Sequence, residues 1–341
     1  MFRELIEKLQ QQRDLSVEEA AGAMEAIMDG RAQPAQIAGF LVALAMKGER
    51  PDEIVGLART MRARATKLSR SFAPVFDTCG TGGDGANTFN VSTVAALVLA
   101  ACGVRVAKHG NRSASSRCGS ADLLEALGVH VSAGPAAIER CLDEAGIAFL
   151  FAPVFHPSMK HAGPTRKELG IRTAFNLLGP LTNPAGAARQ LVGVPRPELT
   201  ELVARSLAQL GAERAWVVHG ADGLDEISTT GYTKVSECRG GSVNTFYLHP
   251  ADVGLPKSTP ESLKGGDAAE NAAIARAVLA GKAGGARDVV LLNAGASLLI
   301  AGRAASIREG IALAADAIDS GRAAATLQAL VACSQDGAVV S

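Results

Sequence analysis

The 341-residue chain lacks the features that mark secreted, membrane and nucleic-acid-binding proteins. Its six cysteines are scattered without a Cys-x-x-Cys pair, so we expect neither a disulfide framework nor a zinc site, and a reduced, cytoplasmic protein. Acidic and basic residues number 34 each, and this balance argues against binding to nucleic acid or a membrane surface. No apolar run is long enough to span a membrane, and we expect no signal peptide.

What the chain does have is enough apolar material for a large core. Hydrophobic residues make up 48% of the sequence, which is typical of a soluble globular enzyme and not of a disordered chain. A chain of this length is expected to form one or two domains.

The first seventy residues are predicted to be all helical. A capping box at Ser16 and Glu19 begins one helix, and Gly30 ends it. Pro34 and Pro51 begin two more. The helix after Pro34 is apolar on much of its surface, which indicates either a buried helix or a helical subunit interface.

From residue 72 the pattern changes to alternating strands and helices, which predicts a mostly parallel sheet with helices on both faces. Residues 235–248 are predicted to form a hairpin around two glycines, and residues 306–331 one long helix with a candidate break at Gly321. The predicted strands are 75–77, 104–107, 147–151, 190–194, 215–219 and 289–292, and the predicted helices are 91–102, 119–127, 135–145, 197–210 and 267–280.

Four glycines within residues 80–85 form the most informative segment. They follow a short apolar run and precede a helix-like one, and such a loop presents several backbone N–H groups to an anion at a helix N-terminus. Asp84 would repel a phosphate, so it is expected to take a ribose hydroxyl or to orient the loop. The alternative is a tight turn without a ligand, since a glycine-rich loop alone is weak evidence.

A second polar segment, residues 108–116, follows the strand-like run 104–107. Two cations, an imidazole, an amide and three hydroxyls crowd into nine residues, so the segment is either a solvated loop or a loop that grips a polyanion. Because neighbouring parallel strands deliver their C-terminal loops to one crevice, the two segments together predict a phosphate site.

Two further features fit a phosphate-rich substrate. The adjacent carboxylates of Asp225 and Glu226 suit Mg²⁺ completed by phosphates, although an isolated pair would more often be an acidic surface turn. Arg166 is a candidate bidentate partner for a carboxylate, the alternative being an ordinary surface arginine. His156 and His161 are interpreted as packing or hydrogen-bonding residues, and no nucleophile elbow supports a hydrolase.

Taken together, the motifs resemble the anthranilate phosphoribosyltransferase family over nearly the whole chain. Cys118 is the one oddity, because it stands where a small polar residue is expected, and it could make its loop sensitive to oxidation. The segments that carry the resemblance are Asp-Thr-Cys-Gly-Thr-Gly-Gly-Asp-Gly (77–85), Thr-Phe-Asn-Val-Ser-Thr (88–93), Lys-His-Gly-Asn-Arg-Ser (108–113), and residues 119–122, 166–173, 175–184 and 224–226.

The resemblance implies a phosphoribosyltransferase-like α/β fold: a helical domain of residues 1–71, joined by helices from about 160–187, and an α/β domain of residues 72–341. It implies transfer of a phosphoribosyl group from 5-phosphoribosyl 1-diphosphate to anthranilate in tryptophan biosynthesis, with Mg²⁺ as cofactor. It also implies a homodimer through the N-terminal helices.

The resemblance implies a role for each matching position. The diphosphate and ribose would be held by Gly80, Gly83, Asp84, Thr88, Asn90, Val91, Ser92 and Thr93, together with Lys108, His109, Gly110, Asn111, Arg112, Ser113, Ala114, Ser115, Ser116 and Ser120. Mg²⁺ would be bound by Ser92, Asp225 and Glu226, and anthranilate by Gly80, His109, Asn111 and Arg166. Lys108, His109 and Arg166 are the candidate catalytic residues, His109 packing against or orienting the acceptor in preference to moving a proton.

Three alternatives stay open at this point. A pyrimidine-nucleoside phosphorylase shares the predicted architecture but would use free phosphate and a nucleoside. A relative that has lost catalysis and binds nucleic acid would favour a basic surface and eroded motifs. A purely structural role leaves both polar segments and the acidic pair without a purpose.

Overall fold

The computed structural model describes residues 1–113 and 117–335. Its first part is helical, as predicted, and the capping box is formed: the backbone N–H of Glu19 donates to Ser16 Oγ at 3.1 Å, and that of Ser16 donates to Glu19 Oε2 at 2.7 Å. The helices are α1 Phe2–Gln10, α2 Val17–Met28, α3 Pro34–Lys47 and α4 Pro51–Arg64.

The described residues after the helical part build a seven-stranded sheet in the order β3-β2-β1-β4-β5-β6-β7. The first five strands are parallel, and β6 and β7 form the predicted antiparallel hairpin. The mostly parallel α/β fold with an N-terminal helical part is therefore confirmed. The strands are β1 Phe76–Asp77, β2 Val106–Gly110, β3 Ile147–Phe151, β4 Arg189–Gly193, β5 Arg214–Gly220, β6 Thr233–Arg239 and β7 Ser242–Leu248.

The remaining helices cover the sheet, and 3₁₀ turns occur at Pro157–His161, Pro250–Val253 and Pro260–Leu263. The predicted break at Gly321, which has φ +78°, is present between the last two helices. These helices are α5 Val91–Ala101, α6 Ser120–Ala126, α7 Pro135–Glu144, α8 Ala152–Phe155, α9 Gly163–Leu169, α10 Phe175–Leu181, α11 Leu199–Gln209, α12 Ala268–Leu279, α13 Gly285–Ile300, α14 Ile307–Asp319 and α15 Arg322–Gln335.

Successive residues of the central strands belong to different cores. Leu191 and Trp216 pack in the core shared with α5 and α13, whereas Val192 and Val217 pack with the N-terminal helices, α10 and α11. This follows from the two-residue period of a strand, which turns alternate side chains to opposite faces. The parallel strands are thus buried on both faces, as expected for such strands, whereas β7 at the edge is largely exposed.

Two predictions about individual elements were wrong. Residues 289–292 are not a strand but lie in α13, which is buried almost all round, and a short apolar run does not separate a strand from a buried helix. The second polar segment does not begin as a loop: Lys108, His109 and Gly110 are the last residues of β2, paired with β3. Lys108 and His109 are also buried, at 3% exposure each.

Among the described helices, none combines the length and apolar character needed to cross a membrane. The strand order reverses between β1 and β4, which lie side by side although β2 and β3 come between them in the chain. In open α/β sheets a crevice opens at the carboxyl ends of the strands at such a point.

Candidate active site

A cavity of about 630 Å³ lies at this switch point. Its walls come from the glycine-rich loop after β1, the end of β2, the loop after β5, and the segment from α8 to α10 on the helical side. The sheet and the helical part thus contribute opposite walls, and the two polar segments predicted to meet do meet here.

The main chain of the glycine-rich loop is held by two hydrogen bonds, one to the end of β4 and one to a side chain on the loop after β5. The N–H of Thr81 donates to the carbonyl of Gly193 at 2.9 Å, and the N–H of Gly82 donates to Asp225 Oδ2 at 2.9 Å. Gly82 and Gly83 have φ of +66° and +80°, a region that other residues rarely adopt. Glycine is therefore required for the shape of this loop.

Asp84 makes a hydrogen bond within the same loop, and the two roles expected for it, binding a ribose hydroxyl or orienting the loop, stay predictions. Its Oδ1 accepts the N–H of Ala86 at 3.2 Å, whereas its buried Oδ2 has no hydrogen-bond partner within the described part of the chain. A buried carboxylate oxygen without a donor is costly, so this atom is suited to a cation or a hydroxyl ligand.

Lys108 extends from β2 beneath the loop, and its ammonium group is anchored by oxygen atoms. Nζ donates to the carbonyl of Thr78 at 2.9 Å, to Thr78 Oγ1 at 3.1 Å and to Ser92 Oγ at 3.3 Å. Ser92 lies in the first turn of α5, where the helix dipole also favours an anion. The arrangement places a fixed positive charge at the floor of the cavity.

His109 and His156 form a neutral aromatic pair on the cavity wall, with ring centroids 5.1 Å apart. Burial lowers the pKa of His109 to about 3 and that of His156 to about 4. His109 Nδ1 lies 2.9 Å from the carbonyl of Gly179. Because a carbonyl can only accept, Nδ1 carries the proton and Nε2 is left as an unprotonated acceptor.

Asp225 and Glu226 stand opposite Lys108 on the loop after β5. Glu226 Oε1 accepts the N–H of Ser92 at 3.1 Å, at the start of α5. Desolvation raises the pKa of both carboxyls, the charge of Asp84 raises both further, and the charge of Asp225 also raises the pKa of Glu226. Such crowding of like charge indicates a site for a counter-ion.

Within the described residues, no three His, Cys, Asp or Glu side chains converge closely enough to hold a metal by themselves. The acidic pair and Asp84 therefore supply a partial ligand set, of the kind that Mg²⁺ completes with waters and substrate phosphates.

Arg166 projects from α9 on the helical side, with its guanidinium carbon 4.9 Å from the centre of the Phe175 ring. Burial lowers its pKa from the ordinary value, and within the described residues it forms no ion pair with a carboxylate. A partly desolvated arginine without a counter-charge is suited to a planar carboxylate ligand.

The cavity brings together most of the predicted site residues. Val91 is the exception, since it is buried in the core beneath α5, and Ala114, Ser115 and Ser116 lie outside the described residues. The predicted residues that line the cavity are Gly80, Gly83, Asp84, Thr88, Asn90, Ser92, Thr93, Lys108, His109, Gly110, Asn111, Arg112, Ser113, Ser120, Arg166, Asp225 and Glu226. Their individual roles stay predictions.

Arg172, Asn176 and His156 also line the cavity, although no ligand role was predicted for them. Arg172 donates to the carbonyl of Gly82 at 3.0 Å and thereby connects the helical side with the glycine-rich loop. All three lie within residues 153–184, a stretch rich in polar side chains, but sequence alone did not tell which of these side chains turn toward the cavity.

Cys118 also lines the cavity, next to Asn90. Its thiol donates to Asn90 Oδ1 at 3.3 Å, and the Asn90 side-chain amide donates back to the carbonyl of Cys118 at 3.0 Å. Burial raises the pKa of the thiol, which lowers its thiolate fraction. These observations weigh against the expected sensitivity to oxidation.

Comparison with known proteins agrees with the fold. The helical bundle domain of the glycosyl transferase family matches residues 3–65, and the a/b domain of that family matches residues 73–324. The fold and the cavity therefore define a glycosyl transferase.

The anthranilate phosphoribosyltransferase of Moorella thermoacetica is 60% identical over 332 residues, 97% of this chain and 98% of that protein. The crystal structure of the enzyme from Thermus thermophilus superposes with a TM-score of 0.91 at 48% identity, covering 97% and 99% of the two chains. The Saccharomyces cerevisiae enzyme in complex with PRPP and Mg gives 0.88 at 28% identity, covering 98% of each. The chain belongs to the anthranilate phosphoribosyltransferase family.

Proposed function

We propose that the protein transfers the phosphoribosyl group of 5-phosphoribosyl 1-diphosphate to the amino group of anthranilate. The products are N-(5-phosphoribosyl)anthranilate, an intermediate of tryptophan biosynthesis, and pyrophosphate. The observation that carries the proposal is the single cavity in which the glycine-rich loop, Lys108 and the acidic pair face Arg166.

The sheet side of the cavity holds the donor. The backbone N–H groups of the glycine-rich loop and the start of α5 offer hydrogen bonds and a positive dipole end to phosphate oxygens. Lys108 adds a charge that is already held in place by Thr78 and Ser92. Because these groups are fixed before the reaction, they stabilise the negative charge that develops on departing pyrophosphate without reorganising.

The acidic pair and Asp84 fit Mg²⁺, because their carboxylates repel one another and Asp84 Oδ2 is buried without a donor. Asp225, Glu226 and Ser92 would hold the ion together with the diphosphate. Bound there, Mg²⁺ supplies counter-charge to the leaving group.

The helical side holds the acceptor. Arg166 takes the carboxylate of anthranilate, and the neutral rings of His109 and His156 border the same space. The aromatic amine is itself neutral at pH 7, so no strong base is needed to prepare it. Catalysis then consists of placing the amine against ribose C1 and stabilising the charges that separate, which is a contribution of position and electrostatics.

The protein is also proposed to be a cytoplasmic homodimer, joined through the N-terminal helices, with the helical and α/β domains divided near residue 71. The dimer is supported by the outer face of α3, where Met46 is 80% exposed and Val42 and Ala45 are only half-buried. An apolar helix face on the surface usually marks a contact.

The decisive experiment follows the fluorescence of anthranilate in a mixture of protein, anthranilate, 5-phosphoribosyl 1-diphosphate and Mg²⁺. Loss of signal that requires all four components is the expected result. If no signal is lost while the protein is folded, the proposal is wrong. Phosphorolysis of a pyrimidine nucleoside by free phosphate, assayed in parallel, would instead identify the less favoured nucleoside phosphorylase.

A further inference from the structure

Asp77, the last residue of β1, is a buried carboxylate that does not line the cavity. Its Oδ1 accepts the backbone N–H of His109 at 3.1 Å, and its Oδ2 accepts a hydrogen bond from Asn183 Nδ2 at 2.7 Å. A charged group is retained in such a place only if its hydrogen bonds and a counter-charge offset the cost of desolvation.

Asn183 connects this carboxylate to a third part of the chain. Its Nδ2 also donates to the carbonyl of Ala107 at 2.7 Å, and its Oδ1 accepts the N–H of Ala185 at 2.9 Å. Asn183 is itself 4% exposed and lies outside the cavity lining. One buried amide therefore ties β1, β2 and the segment after α10 together.

Asp77 and Asn183 bind the main chain of β2 on both sides of Lys108. The main chain of Ala107 is bound by Asn183 and that of His109 by Asp77, so Lys108 between them is fixed from both sides. The His109 ring is bound at Nδ1 by Gly179, four residues before Asn183. Asp77 also provides a negative charge near the buried Lys108 ammonium, and burial raises the pKa of Asp77 to about 6.

We propose that Asp77 and Asn183 are positioning residues for the reaction, which fix the main chain of β2 so that Lys108 meets the donor and His109 meets the acceptor. Neither residue touches a substrate. The inference rests on the proposed function and names the groups that give its catalytic side chains their position. A displacement of reacting groups by about 1 Å can lower a rate by about a hundredfold, so loss of the pair is expected to appear in kcat.

Asp77→Asn is the most direct variant, because it conserves shape. The new amide can still accept from His109, but it then turns an NH₂ group toward the NH₂ group of Asn183. We expect kcat to fall by roughly 10- to 100-fold, while the KM for the ribosyl donor stays within about threefold, because Lys108 and the glycine-rich loop remain. Asn183→Ala, which leaves Asp77 Oδ2 without its donor, should give the same pattern.

A further variant separates positioning from mere stability. Ser236→Ala removes a buried hydroxyl from β6, where it bonds Thr200 and Thr245 at 2.9 and 3.0 Å, far along the sheet. It should lower the melting temperature and leave kcat and both KM values unchanged.

Thermal unfolding of every variant shows whether it is folded at the assay temperature. The inference is overturned if folded Asp77→Asn and Asn183→Ala keep the wild-type kcat. Should Asp77→Asn fail to fold, Asn183→Ala decides. An inactive wild-type protein would overturn the proposed function and this inference with it, whereas an active wild type with unaffected variants overturns this inference alone.

Discussion

Gly193, the last residue of β4, packs directly against the main chain of Asp225. A β-carbon at Gly193 would overlap the carbonyl group of Asp225, and the carbonyl of Gly193 accepts the N–H of Thr81. The glycine thus sets the distance between the acidic loop and the glycine-rich loop, and no local sequence pattern indicated this contact.

Gly193→Ala is therefore expected to displace Asp225 and to lower kcat/KM by tenfold or more, about 1.4 kcal/mol. Steady-state kinetics at several Mg²⁺ concentrations measure this. Gly22→Ala is a matched control, because a β-carbon there meets nothing within 4 Å and Gly22 lies inside α2. The prediction fails if both variants keep wild-type kinetics.

Arg166→Ala should raise the KM for anthranilate far more than that for the ribosyl donor. Loss of a hydrogen bond to a charged group costs about 1.5–3 kcal/mol, or roughly 10- to 150-fold. Lys167→Ala, an exposed neighbour on α9, serves as the control. Equal effects of Arg166→Ala on both KM values would show that the arginine does not address the acceptor.

Replacing both acidic residues, Asp225→Asn with Glu226→Gln, should shift the activity to a higher Mg²⁺ demand. The amides keep the shape of the loop but remove two charges that face the cation and diphosphate. A Mg²⁺ titration of the initial rate measures the shift, with Glu198→Gln, a largely exposed carboxylate, as control. An unchanged titration would show that the pair does not act through Mg²⁺.

Much of this fold and of the site could be predicted, and the reasons differ from residue to residue. Ser16 and Glu19 indicated a helix because their side chains act locally, and the four glycines from Gly80 to Gly85 indicated an anion site only together with the polar residues 108–116, because both segments follow neighbouring strands. Residues 289–292 misled because the long-range packing that makes them helical leaves no local trace. Asp77 and Asn183 are 106 residues apart in the chain, so their hydrogen bond was beyond any local pattern.

A fall in pH should lower the contribution of the buried His109 and His156 to the free energy of unfolding, whereas the buried carboxyls of Asp77, Asp225 and Glu226, whose pKa values are raised, act in the opposite direction. The folded-state pKa values of His109 and His156 are lowered to about 3 and 4. As the pH falls, protons therefore bind first to the unfolded state, in which the pKa of a histidine is about 6.5. Their contribution is therefore complete above that pH and is lost as the pH falls toward the folded-state values, by about 2 kcal/mol each at pH 5.

Urea unfolding of the wild type and of His156→Gln at pH 7.5 and pH 5 isolates the part due to His156, because the carboxyl contribution is common to both proteins. On going from pH 7.5 to pH 5, the free energy of unfolding of the wild type should change less favourably than that of His156→Gln, which cannot take up a proton. An identical change in both proteins would mean that His156 titrates freely in the folded state.

Glu53 should be a main support of the helical part. It is fully buried, accepts the N–H of Leu15 at 2.9 Å and that of Arg50 at 2.8 Å, and pairs with Lys47 at 2.9 Å. Glu53→Ala leaves the buried Lys47 ammonium with only the more exposed carboxylate of Asp14, and it should cost about 3–5 kcal/mol of unfolding free energy.

Chemical denaturation provides the measurement for this substitution too. Glu7→Ala, which removes the exposed partner of Arg3, should cost only about 0–1 kcal/mol. Comparable losses in the two variants would contradict the importance assigned to the buried pair.

The extension of β2 through Gly110 has a consequence for redesign of the enzyme. Residues 106–110 pair with β3 over the whole strand, and the N–H of His109 donates to Asp77 of β1. The backbone that carries Lys108 and His109 therefore has no freedom to adapt to a differently shaped amine. The opposite wall, from α8 to α10, consists of short helices and turns joined by glycines and prolines. Variation for new aromatic acceptors is best directed to that wall, where changes of shape leave the leaving-group machinery intact.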